Sequence, residues 1–191
     1  MKGTIASLIL VALELTLCLV SSRWRTVDVT DSEICFKNIF TRFNTSPMEH
    51  QTLNVGPIFA SRISKMDGTP EHFTSEHTRF ETSLLIAGIV VIIVSAITLS
   101  FVEFCSNKTI FNRYRVWLHL VNVIFLTISL IILIVGFYSL QHRLKQPLNG
   151  AGAFGFFVGI LFIVMLGTHS AIAFITQCRN TWEPNVEKVL I

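Results

Sequence analysis

The sequence predicts an all-α membrane protein, a four-transmembrane-helix bundle with a small extracellular β-sheet in its first loop. Three observations lead there. Residues 83–102 read SLLIAGIVVIIVSAITLSFV, without a charge or a proline, and as a helix at about 1.5 Å per residue they span roughly 30 Å, the thickness of a bilayer's hydrocarbon core. Two more apolar runs follow with short connections, and a further one lies near the amino end, before a long polar stretch. Finally, 51% of the 191 residues are hydrophobic and only 14% are charged, against about 25% charged in soluble domains. The whole chain, 1–191, reads as one membrane domain with spans at 3–22, 83–102, 117–140 and 150–176 and an exterior loop at 23–82.

The first run, MKGTIASLILVALELTLCLVSS, has one lysine before a mostly apolar stretch interrupted by Glu14. Two readings fit it: a signal peptide with Val20 and Ser22 at small-residue cleavage positions, or a first span with Trp24 as an interfacial anchor. Either leaves the following loop outside. In that loop, Ile34 to Phe43 is rich in aromatic and β-branched residues and predicts a strand. Leu53 to Ile63 predicts a second, broken by Gly56-Pro57, and 66–70 forms a turn cluster. From Glu71, Phe73, His77, Phe80 and Leu84 recur at helical spacing, which predicts that the second span continues above the membrane. Residues 101–116 read as the turn into the third span, made basic by Lys108, Arg113 and Arg115; 142–149 is a short exterior turn, and 177–191 a tail. The distribution of positive residues places both termini in the cytoplasm, with the chain multi-pass in the plasma membrane.

Glu14 is the one charge inside a predicted span, a costly placement that suggests function. Its depth matches Thr127 and Ser129 and lies near Ser95; a hydrogen-bonded contact between helices is the plainer role, proton or ion relay the bolder one. Asn122 and His169 sit at matching depth, where they can bond across helices. Ala151, Gly155 and Gly159 form a small-residue stripe at spacing four, suited to close approach of helix backbones within the bundle or against a partner protein. Cys105 and Cys178 lie at membrane edges where palmitoylation occurs. The sequon at Asn44 suits a glycan, with Pro47 directly after it reducing its use. Val189 and Ile191 alternate before the carboxyl end, a ligand pattern for a PDZ domain. Cys35 is the lone cysteine of the loop. His72 and His77, five apart, do not share a helical face and predict no metal site. No phosphate loop, catalytic Ser/His/Asp set or Cys-x-x-Cys pair is present, so neither enzyme activity nor a cofactor is expected. A scattered net charge of +3 argues against nucleic acid as a partner.

Four spans, a long first exterior loop, a very short second one, Trp24 just past the first span, the segment Phe73–Ser83 entering the second and Val102-Glu-Phe104 leaving it together carry a resemblance. The chain resembles the peripheral myelin protein/claudin superfamily, which includes the calcium-channel gamma subunits and clarins. The family's Gly-Leu-Trp and two-cysteine signature is missing, with Cys35 alone in its place, so the resemblance implies neither the loop disulfide nor paracellular sealing. It implies a non-enzymatic auxiliary protein that binds a channel or receptor subunit in the lipid membrane and alters its gating or trafficking. Adhesion between cells is the second expectation, and a small transporter using Glu14 the third.

Overall fold

A computed structural model gives the architecture; it describes residues 2–21, 23–28, 52–63, 70–74, 79–105, 108–144 and 148–182. Among them are four long helices: α1 (Lys2–Val20), α2 (Arg79–Cys105), α3 (Lys108–Leu144) and α4 (Ala151–Trp182). All four are long and apolar enough to cross a membrane, over Lys2–Val20, Arg79–Phe104, Val116–His142 and Ala151–Arg179. Each helix packs on its neighbours in sequence, and α1 closes the ring by packing on both α2 and α4. The pairings run in opposite directions. Gly88 meets Leu133 whereas Ser95 meets Asn122, and Leu15 meets Gly159 whereas Trp24 meets Gly152, so adjacent helices are antiparallel. This is an up-and-down four-helix bundle.

The helices form where branched and aromatic residues run without proline, and the backbone polar groups must be satisfied internally in such apolar sequence. Their faces are not sorted by hydrophobicity. Leu8 and Leu15 of α1, Leu85 and Ile92 of α2, Leu133 of α3 and Phe156 of α4 are fully buried, while Leu17, Ile97, Ile131 and Ile172 lie exposed on the outside. An apolar exterior of this kind suits hydrocarbon, in which a helix gains nothing by hiding leucine, and association relies on close packing and hydrogen bonds. Close packing is visible at Gly88, where an added Cβ would stand 2.6 Å from Leu133, and at Gly136, 3.0 Å from Leu85. The hydroxyl of Ser129 donates to the Gly88 carbonyl at 2.8 Å across the same seam.

Between α1 and α2 lie four short strands, β1 (Arg25–Asp28), β2 (Thr52–Val55), β3 (Phe59–Ile63) and β4 (Pro70–Thr74). They pair antiparallel in the order β1-β2-β3-β4, with Arg25 opposite Val55, Val55 opposite Ala60 and Ile63 opposite Pro70. Gly56-Pro57 does not break one strand but turns the chain between two. Pro70 occupies the first position of an edge strand, where a missing N–H is tolerated. The turn Gly56-Pro57 is buried on top of the bundle, and the Thr82 hydroxyl at the start of α2 donates to the Pro57 carbonyl at 2.9 Å.

Three sequence expectations change here. Phe73 belongs to β4, not to an upward extension of α2, which starts at Arg79; helical spacing of four aromatic and apolar residues was outweighed by ladder pairing with β3. Residues 101–116 are mostly helix, since α2 runs to Cys105 and α3 starts at Lys108. Each helix carries on past its apolar span into charged sequence, α2 through Glu103 and α3 from Lys108. With 37 residues, α3 is about 55 Å long and outreaches the hydrocarbon core at its ends. α4 likewise extends to Trp182. The strand expected at 34–43, Cys35, His77 and the sequon at Asn44 lie outside the described residues.

Candidate functional site

The best-built polar feature is a layer through three helices. Asn122 of α3 is 1% exposed. It accepts from the Ser95 hydroxyl of α2 at 2.7 Å and donates through its amide nitrogen to the Ser170 hydroxyl of α4, also at 2.7 Å. Ser95 and Ser170 are both buried. A side-chain amide is suited to this position because its oxygen accepts and its nitrogen donates, so one residue can join two hydroxyls. Such bonds average about 0.6 kcal/mol in membranes, with a maximum near 1.7. The expected partner His169 is not in the layer: its side chain is exposed, and the adjacent Ser170 is the residue that faces inward. A helix turns about 100° per residue, so a neighbour in sequence lies on another face. Asn122→Leu is therefore expected to destabilise the protein by about 1–2 kcal/mol in detergent titration, and His169→Ala to stay within about 0.5 kcal/mol.

Glu14 is half-buried on α1, one turn from Cys18. The hydroxyls at matching depth are engaged elsewhere. Ser129 donates to Gly88, Thr127 donates to the Val123 carbonyl of its own helix at 2.8 Å, and Ser95 belongs to the Asn122 layer. Moreover α1 packs chiefly on α2 and α4. Depth counted along the sequence is silent about which side of the ring each helix occupies. No group of three or more potential metal ligands is found among the described residues.

The glycine stripe of α4 meets α1. An added Cβ at Gly155 would stand 2.7 Å from the Cys18 sulfur, and one at Gly159 would stand 2.5 Å from Leu15. Ala151 is exposed, and Gly152 takes the place expected of it, against the Trp24 ring. The stripe thus runs 152, 155, 159, at mixed spacings of three and four, which follows one helix face more closely than repeated fours.

Trp24 was the residue whose role the sequence understated. It is 1% exposed and not an interfacial anchor. Its ring packs on Phe156 with centroids 5.2 Å apart and on Phe137 at 6.0 Å, while Phe137 and Phe156 stack at 5.9 Å. Its indole N–H donates to the Cys18 carbonyl at 2.6 Å, in the last turn of α1, where that carbonyl also accepts from the Ser21 N–H at 3.1 Å. The carbonyls of Arg23 and Trp24 in turn accept from Gly152 and Gly150 at 2.8 and 2.7 Å, supplying the first N–H groups of α4 with acceptors. Two helix ends cap each other through two residues.

Cys178 is a free, half-buried thiol on the last turns of α4. Cys105 is the last residue of α2. Val189 and Ile191 lie outside the described residues. The chain matches no protein-family model and no curated protein.

Proposed function

We propose that the chain is a non-enzymatic four-pass plasma-membrane protein, claudin-like in layout, that binds beside an ion channel or receptor subunit and modulates its gating or trafficking. In this reading α1 is retained as a span, the sheet is extracellular and both termini are cytoplasmic. The observation that supports it best is the join between sheet and bundle. The β2–β3 turn is buried against the helices and hydrogen-bonded to Thr82 at the head of α2. A partner held by the sheet therefore acts directly on a helix that runs to the opposite face. The resemblance in layout to the calcium-channel gamma subunits names the class of partner. A lipid-facing apolar exterior on all four helices leaves room for lateral association.

The test is crosslinking in intact cells, extraction in mild detergent and identification of the membrane neighbours, followed by co-expression and current recording. A channel or receptor subunit should be recovered, and its current or surface level should change. Recovery of monomer alone across several mild detergents would end the proposal. Enrichment at cell contacts only when both cells express the chain would assign it to adhesion instead.

A further inference from the structure

We infer that the outer face of α4 joins a second copy of this chain, in a parallel pair centred on His169. His169 lies inside the span Ala151–Arg179, ten residues from its end, or about 15 Å along the helix axis, farther than an imidazole reaches. It is the sequence neighbour of the buried Ser170, yet it is exposed and makes no hydrogen bond to the described residues. The exposed threonines of the spans are different: Thr16, Thr127, Thr168 and Thr176 each donate to a carbonyl of their own helix. An unsatisfied polar ring in hydrocarbon is costly, and such residues nearly always face protein or water. The position therefore calls for a partner.

The residues around His169 give the partner's shape. Phe162, Met165, His169, Ile172 and Thr176 follow one another in steps of three, four, three and four, and all five are exposed. That spacing draws one stripe along a helix, the seam of a left-handed pair crossing at about 20°. The stripe is clear of the contacts α4 makes in the bundle, where Gly155 and Gly159 meet α1 and Ser170 meets α3. α4 is also the least covered of the four spans, with 22% of its most apolar stretch buried against 33% to 39% in the others. Chemistry then selects the occupant. Two copies of one chain enter a membrane the same way round, so their two-fold axis stands along the bilayer normal and each seam residue faces its own counterpart. A polar residue at such a seam must be able to bond with itself. A neutral imidazole can, since one ring nitrogen donates and the other accepts, as an asparagine side chain does in parallel coiled coils. A lysine or a carboxylate at 169 would repel its counterpart. Met165 and Ile172, the layers on either side, pack on their own kind. This pairing does not depend on the channel or receptor association proposed above.

The full chain in phosphatidylcholine bilayers tests this, by counting single-molecule photobleaching steps over a range of protein-to-lipid ratios and by cysteine crosslinking in the membrane of the expressing cell. Two-step traces should increase with protein density. His169→Leu should weaken association about three- to ten-fold, whereas His169→Asn, which keeps a donor and an acceptor, should restore it to within about two-fold of the parent. Unfolding midpoints should not move in either variant, because the ring is exposed. Met165→Cys should give a crosslinked product of twice the chain's mass, above the level formed by the native cysteines. Val164→Cys, exposed on the other flank of α4, should not. Single-step traces at every density would overturn the inference and leave this face to lipid. Equal association of the parent and His169→Leu would overturn it as well, as would equal crosslinking at 164 and 165. A Met165→Cys product joined to a different chain would overturn it by making that chain the occupant.

Discussion

Trp24→Ala is expected to destabilise the bundle by about 3–5 kcal/mol, the range for removing a large buried aromatic side chain. The residue is fully enclosed by Phe137, Phe156 and the backbone of α4, and the adjacent residues have little freedom to collapse. Two terms are involved, and Trp24→Phe separates them. Phenylalanine keeps an aromatic ring against Phe156 but cannot donate to the Cys18 carbonyl, which keeps its 3.1 Å bond from the Ser21 N–H, so about 1 kcal/mol should be lost with the one hydrogen bond. The remainder of the alanine effect is packing. Equilibrium unfolding in mixed micelles, followed by circular dichroism, measures both; a Trp24→Ala variant within about 1 kcal/mol of the parent would show that the aromatic cluster does not hold the helices.

Gly150→Ala is the second large effect, and it needs only one methyl group. The new Cβ would stand 2.5 Å from the carbonyl carbon and oxygen of Trp24. These are backbone atoms, which cannot swing aside as a side chain can. The junction must open, and with it the Gly150–Trp24 and Gly152–Arg23 hydrogen bonds. A loss of about 3 kcal/mol is expected, at the upper end of ordinary overpacking. Gly167→Ala is the control. Nothing lies within 4 Å of a Cβ there, and replacing a mid-helix glycine by alanine should stabilise by about 0.5–1 kcal/mol. The same chemical change just before α4 and in its middle should therefore have opposite signs. Equal effects would mean that the α1–α4 junction is not built as described.

Four helices were legible in the sequence because an apolar run longer than a bilayer is thick has few alternatives. Their ends were less so, since leaving the apolar region changes residue type without introducing a breaker; Lys108 to Val116 is the example. Which helix faces which was not legible at all. Asn122 could be selected as an interhelical donor by its depth, but choosing Ser170 over His169 requires knowing the rotation of α4. Trp24 was visible as a marker, and its burial was not, because burial depends on Gly150 and Gly152, more than a hundred residues away, leaving space for the ring.

The Ser95–Asn122–Ser170 layer also governs how the molecule can move. Turning α2, α3 or α4 by one residue would carry a polar group out of the layer toward hydrocarbon, so the three helices share one axial and rotational setting. α1 takes no part in that layer. It is held by apolar contacts along its length, from Ile5 and Leu8 near its Lys2 end to Leu19, and by the capped corner at Trp24. The bundle thus divides into a three-helix block whose register is set by hydrogen bonds and a fourth helix whose register is set by shape, through Leu15 against Gly159 and Trp24 against Gly152.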